Sequence, residues 1–273
     1  MKTNFIWGTD IHLDCLGDDE NNDAAVAAWA EQNLATKDAD SILLTGDISL
    51  GPDVIRHLKI IKERTKKKVF YVLGNHDFWN ASISKLRLDI TQPELMNDGI
   101  VWLGSVDYVP FGESIALIGH DGWYDALNGD FKTSRFIMKD WFNIEEFSSD
   151  LRNIVPTARK LAAEAVFHIE KACTKAIAEG RKRIIMLTHF PPFVEACFYR
   201  GKRTETQALP WYSSRLMGEA LLALSEKHPE TNFTVLCGHT HSAADVTIRP
   251  NLRVVVGHSD YGSPDSNMIG VTE

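Results

Sequence analysis

"KVFYVLGNHDF", Lys68 to Phe78, joins two kinds of chemistry end to end. Its first half is apolar at nearly every position and rich in β-branched and aromatic residues, the pattern of a strand covered on both faces. After Leu73 and Gly74 it empties at once into Asn75, His76 and Asp77. A turn has backbone uses for Asn and Asp; it has no special use for the His between them. The same design recurs along the chain. "NFIWG" (4–8) leads to Asp10-Ile11-His12, and "SILLTG" (41–46) leads to Asp47. "RIIMLTH" (183–189) ends in His189, and "FTVLCGH" (233–239) runs into His239-Thr240-His241. Five apolar runs thus each end in one to three Asp, Asn or His residues.

Further strands are expected at 114–119, 245–249 and 253–258. Helical segments lie between them. Residues 22–38 place Ala25, Ala28 and Trp29 on one face; 51–67 open with Pro52, a favoured first-turn residue, and space Val54, Ile55, Leu58 and Ile61 helically. Residues 156–180 close on Gly180, a C-cap residue, and 214–228 complete the set. Strands alternating with helices indicate an α/β chain with a largely parallel sheet. One domain, 1–273, is expected, with insertions at about 120–155 and 190–213, where functional loops tend to occur.

Composition narrows the class. The 273 residues suffice for a sizeable core. A formal charge of −8 argues against broad attraction to nucleic acid or anionic membrane, while leaving room for a small cationic site. Cys15, Cys173, Cys197 and Cys237 are far apart and form no C-x-x-C pair, so neither a disulfide framework nor a zinc knuckle is expected. A reducing compartment, the cytoplasm, follows. "MKTNFIWGTDIH" does not read as a signal peptide, and no apolar run has the length of a membrane helix.

In a parallel sheet the strand C-termini lie along one edge, where ligands bind, so residues distant in sequence meet there. Asp10 and His12, at i and i+2, point to the same side of an extended chain, as do His239 and His241. Gly8, Gly46, Gly74 and Gly238 precede the polar groups and allow close backbone approach. Carboxylate, imidazole and amide oxygen without thiolate suit Mn, Fe or Zn ions. Asp10, His12, Asp47, Asn75, His189, His239 and His241 are too many for one tetrahedral zinc, but they suffice for two ions sharing a carboxylate. Asn75 would give an oxygen without adding charge. His76, aimed elsewhere as its neighbour, is the candidate catalytic residue: near a metal-bound phosphoryl group it would protonate a leaving alkoxide or stabilise its charge.

These motifs, Asp10-x-His12, Gly46-Asp47, Gly74-Asn75-His76-Asp77, His189 and Gly238-His239-Thr240-His241, resemble in order the signature of the calcineurin-like metallophosphoesterases. The resemblance implies a four-layer α/β/β/α sandwich with two central mixed β-sheets. It also implies two divalent or mixed-valence transition metal ions, one held by Asp10, His12 and His241, the other by Asn75, His189 and His239, with Asp47 between them. The implied activity is phosphoester hydrolysis, a bridging hydroxide attacking phosphorus in line, on phosphodiesters or small organic phosphates. A metal-dependent nuclease and a non-catalytic scaffold are the alternatives. The sequence departs from the Ser/Thr protein phosphatase branch, whose G-D-x-V-D-R-G reads "GDISLGP" here and whose next block ends in Glu rather than Asp77. Leu50 stands where that branch has the acid that orients its catalytic His.

Several residues have two readings. Asp77 either steadies a metal ligand from behind or caps a helix through 79–88. His120, closing "IALIGH", faces substrate or is a buried, hydrogen-bonded His, and His258 repeats the form. Arg200, Lys202 and Arg203, among Phe198, Tyr199 and Trp211, form a lid that holds a phosphate or stacks a base, or else a solvated loop. Trp123 and Tyr124 divide the same way. His57, His168 and His228 receive no role, and Cys237 is read as a small core residue.

Overall fold

Side-chain alternation along the strands sorts the apolar residues into three separate layers. The computed structural model describes residues 2–18 and 20–272. The first half of the chain contributes β1 (Lys2–Gly8), α1 (Asn22–Ala30), β2 (Ser41–Thr45), α2 (Val54–Thr65), β3 (Lys68–Val72), α3 (Ile83–Ile90), α4 (Pro93–Asn97), β4 (Ile100–Trp102), β5 (Val109–Phe111) and β6 (Ile115–Gly119). There follow α5 (Asp140–Asn143), α6 (Glu145–Ser148), α7 (Ile154–Ala178), β7 (Arg183–Leu187), β8 (Phe198–Tyr199), β9 (Lys202–Arg203), α8 (Leu209–Tyr212) and α9 (Arg215–Lys227). The chain ends with β10 (Asn232–Cys237), β11 (Ala244–Arg249), β12 (Leu252–Val256) and β13 (Asn267–Thr272).

Among the described residues the strands form two main sheets and one hairpin. The first sheet runs β13-β1-β2-β3-β4, parallel except for β13; the second runs β11-β12-β10-β7-β6-β5, with β11 and β5 antiparallel at its edges. Period-2 alternation explains how one strand serves two layers. Phe5, Trp7, Leu43, Phe70 and Val72 of the first sheet meet Leu117, Ile185, Leu187 and Leu236 of the second in a shared interior. The opposite faces are Ile6, Ile42, Leu44 and Tyr71 under α1, α2 and α3, and Ile184, Met186, Val235 and Val254 under α7 and α9. Two mixed sheets with helices outside them are what the family resemblance implied; the strand-helix alternation by itself suggested only one parallel sheet.

The expected strands at 68–74, 183–189, 233–239 and 253–258 stop two residues early, and at the first the reason is a change of hydrogen-bond partner. Leu73 N–H donates to Asp121 Oδ1 at 2.8 Å and Gly74 N–H to Asp77 Oδ2 at 2.7 Å, so the chain leaves the ladder just before Asn75. The helix expected over 79–88 begins only at Ile83. Ser82 is its N-cap, and the Glu146 carboxylate accepts the Ile83 and Ser84 N–H groups. Asp77 therefore caps no helix. Its Oδ1 accepts from Ile48 and Ser49 N–H at 2.8 and 2.9 Å, tying the loop after β2 to the loop after β3. Trp123 and Tyr124 are fully buried in the core beside Phe147 and Phe190. All four cysteines are free, and among the described residues no helix is long and apolar enough to cross a membrane.

Asp121, just beyond β6, ties three elements together. It accepts from Leu73 N–H, from Trp102 Nε1 at 2.7 Å, and from Arg87 Nε and Nη2 at 3.1 and 2.9 Å. Burial pushes its carboxyl up, but Arg87 and His120 outweigh burial and hold it below the ordinary value. The Asp121→Ala variant should lose about 3–5 kcal/mol of stability in denaturant unfolding, because the nearly buried Arg87 loses its buried carboxylate and keeps only the exposed Glu164, and the Leu73 N–H and Trp102 Nε1 lose their acceptor. A depressed carboxylate stabilises fully above the unfolded value of about 4 and loses that contribution as pH falls through its folded value. The gap between wild type and variant should therefore narrow below about pH 4.

Candidate metal centre

The loops that follow β1, β2, β3, β7 and β10 converge at the seam between the two sheets. Asp10, His12, Asp47 and His241 offer ligand atoms within 4.8 Å of one another, and so do Asp47, His189 and His239. Asp47 belongs to both groups. Its Oδ1 lies 3.4 Å from His189 Nε2, while its Oδ2 lies 3.8 Å from His12 Nε2. His241 Nε2 is 3.5 Å from Asp10 Oδ1 and 3.3 Å from His12 Nε2. Asn75 joins the second group, its Oδ1 3.1 Å from His189 Nε2 and 3.0 Å from His239 Nδ1. All of these residues are buried except His241, which is half-buried.

The backbone bends hard to achieve this. Asp10, His12, Asp47, His239 and His241 have φ of 50°, 38°, 50°, 68° and 53°, the left-handed region. Asp and His tolerate it better than most residues, at a cost of order 1–3 kcal/mol each. Close approach explains two of the glycines. A Cβ on Gly74 would overlap Asp47 Oδ1, and one on Gly238 would overlap Thr9 Oγ1 and Asp10 Oδ2.

Hydrogen bonds on the far side of the ligand residues fix which atoms face inward. His189 Nδ1 donates to the Thr45 carbonyl at 2.9 Å, His241 Nδ1 to the Ser259 carbonyl at 3.1 Å, and His239 Nε2 to the Trp211 carbonyl at 3.2 Å. Each of these imidazoles therefore turns its other nitrogen to the common centre, the orientation a metal ligand needs once that nitrogen is free of its proton. His12 Nδ1 is buried without a partner among the described residues. Asn75 Nδ2 donates to Asp140 Oδ1 at 2.9 Å, which turns the amide oxygen inward. The donor set and its orientation fit divalent metal ions.

Protonation in the metal-free cluster is lopsided. Burial pushes Asp47 up, but His189 and His76 outweigh it and hold the carboxyl well below its usual value. Burial alone would lower His189; Asp47 and Asp10 raise it to about 10. His12 is lowered to about 3, and His239 falls well below its ordinary value, in both cases chiefly by burial. The cluster thus holds one proton on His189, paired with Asp47, and keeps the other buried imidazoles neutral.

His76 sits at the mouth. Its ring stacks on Trp79 at 3.6 Å, its Nε2 is 4.0 Å from Asp47 Oδ2, and its backbone N–H donates to Asp47 Oδ1 at 2.9 Å. His120 lies elsewhere: it is buried, with its ring near Trp102 and His168 at 6.0 and 5.3 Å, and it takes no part in the cluster. His258 is exposed and pairs with Asp265. Arg200 and Arg203 lie on the exposed β8-β9 hairpin. Three contributors carry no sequence signal. Asp140, in the 120–155 insertion, accepts from both Asn75 and Trp79 Nε1, so it holds the amide and the ring under His76 together. Tyr261 lies over His12 and His241 at 4.4 and 4.9 Å, and Tyr212 over His239 at 4.9 Å.

Residues 4–243 match the family model described as calcineurin-like phosphoesterase. Among solved structures, the chain is similar to phosphopantetheinyl hydrolase (PptH) from Mycobacterium tuberculosis. The identity is 18%, coverage is 94% of this chain and 90% of that one, and the TM-score is 0.63. It is also similar to a dimetal phosphatase from Danio rerio, at 14% identity, with 93% and 86% coverage and a TM-score of 0.54. No curated protein sequence matches it.

The Asp47→Asn variant should retain less metal at both ligand groups after dialysis, read by elemental analysis; wild-type content at both would deny Asp47 a shared role. The Asp140→Ala variant should weaken metal affinity about 10–100-fold, the usual effect of losing a partner behind a ligand. Competition with a chelator measures this.

Proposed function

Since the chain belongs to the calcineurin-like phosphoesterases, hydrolases acting on phosphoric esters, we propose that it is a dinuclear enzyme for phosphodiesters or small organic phosphates. Asp10, His12 and His241 would hold one ion, Asn75, His189 and His239 the other, and Asp47 would be shared between them. The observation that carries this reading is the division of Asp47, one oxygen toward His189 and the other toward His12. When bound, such ions supply positive charge opposite the phosphoryl oxygens and acidify a water molecule for in-line attack.

The chain's own groups do the rest. His76, at the mouth, is placed to protonate the departing alkoxide or to hydrogen-bond the charge growing on it. Leu50 supplies no acid to orient it; the stack on Trp79, itself tied to Asp140, holds the ring instead. Asn75 adds an oxygen donor without a third negative charge beside Asp10 and Asp47. Preference for diesters or small phosphates over phosphoproteins is supported by the "GDISLGP" block and by Asp77, both unlike the protein phosphatase pattern. We read the whole chain, 1–273, as one domain built around this centre.

The test is metal analysis followed by turnover of bis-p-nitrophenyl phosphate and p-nitrophenyl phosphate with added Mn²⁺. Hydrolysis of either supports the reading. Full metal loading without hydrolysis of any ester in a broad panel would favour a scaffold that keeps the fold alone. In the active enzyme, His76→Ala should keep its metals and slow turnover about 10²–10⁴-fold. A near-normal rate would remove His76 from the chemistry.

A further inference from the structure

Beside the ligand cluster lies a surface cavity of about 520 Å³, walled by Phe136, Tyr199 and Tyr212 and rimmed by Arg200, Lys202 and Arg203. The hydrolase reading gives it no occupant. Three observations converge on it. The first is charge. Three cations fall within four residues of a chain whose net charge is −8. Among the described residues none of them has a carboxylate at ion-pair distance; Glu205, on the same wall, is the one acid lining the cavity. The Arg200 and Arg203 guanidinium groups lie instead 5.3 Å over Tyr199 and 5.7 Å over Phe198. Flat cations resting on rings leave their outer N–H groups free for an anion.

The second is backbone. Tyr199 pairs with Lys202 across a two-residue turn, Arg200-Gly201, in which both residues have positive φ, 50° and 73°. Hairpin turns of this kind ordinarily place Gly or Asn where Arg200 stands. An Arg in the left-handed region is a local cost, and such costs gather at ligand-binding positions.

The third is position. The Tyr212 ring is 4.9 Å from His239 and 6.4 Å from Tyr199, so the cavity begins one aromatic ring from a proposed metal ligand. The preceding residue, Trp211, accepts the outer N–H of that same His239 through its carbonyl. One segment therefore fixes the ligand and walls the cavity.

We propose that this cavity binds the organic arm of the substrate, and that the arm carries an aromatic ring and a second anionic group, phosphate or carboxylate. The ring lies against Phe136, Tyr199 and Tyr212, and the anion meets Arg200, Lys202 and Arg203. The inference rests on the hydrolase reading above, and the experiment separates the two.

Metal-loaded protein is assayed with thymidine 5′-(p-nitrophenyl phosphate) and with the same ester carrying a 3′-phosphate; both report by p-nitrophenolate release. The second phosphate should raise kcat/KM by about 10-fold or more through its charge-assisted hydrogen bonds. The advantage should shrink in high salt and collapse in an R200A/K202A/R203A variant, whose changes are all on exposed residues. Equal kcat/KM for the two esters, or an advantage that survives the triple substitution, overturns the proposal. If neither ester is turned over, bis-p-nitrophenyl phosphate and p-nitrophenyl phosphate judge the hydrolase reading, which fails only if both are inert as well. The cavity is then decided by calorimetric titration of thymidine 3′,5′-bisphosphate into the same metal-loaded proteins. Tighter binding to wild type than to the triple variant upholds the anion site, and equal or absent binding ends it.

Discussion

Charge balance in a buried place is the constraint on which this structure depends. Two carboxylates and four imidazoles share a space a few ångströms across, where unpaired charge is expensive. Asp47 resolves most of the conflict. Placed among His12, His76 and His189, it stays ionised against burial and draws a proton onto His189. Cations suit such a site because they replace that proton with larger positive charge, which couples metal uptake to proton release. Much of the surrounding architecture holds these groups against mutual repulsion and desolvation: the Asp77 clamp between two loops, the Asp121 anchor under Leu73, and five residues kept in left-handed conformation.

The sheets were legible to the extent that their strands are covered on both faces. β2, β3, β6, β7 and β10 are apolar runs that read directly. β4 and β5 have three residues each, too short for a periodicity, and β5 contains Pro110, which is tolerated because the strand is at a sheet edge. The division into two sheets was not visible in strand order. Both faces of β2, β3, β6, β7 and β10 are largely apolar, so nothing in the pattern says whether a helix or another sheet covers a given face.

The ligand cluster was legible because its residue types are wrong for the ends of buried strands unless something is bound there. Asp140, Tyr212 and Tyr261 were not, for a physical reason. They come from one-turn helices and a loop that reach the centre by tertiary folding, too short for a periodicity, and Asp and Tyr in such segments carry no signature of what they touch. Asp77 shows the converse. Its place in a motif marked it, but it accepts three backbone N–H groups from two loops and caps no helix, which no local pattern encodes.

The cluster draws Asp10, His12, Asp47 and Asn75 from loops of one sheet, and His189, His239 and His241 from loops of the other. Any cation held there is a rivet through both slabs of the sandwich. Sliding or splaying of one slab against the other would tear ligands away, so ligation strength is converted into resistance to shear across the shared interior. By mass action the filled centre stabilises the folded chain as a whole, and not merely the loops that touch it.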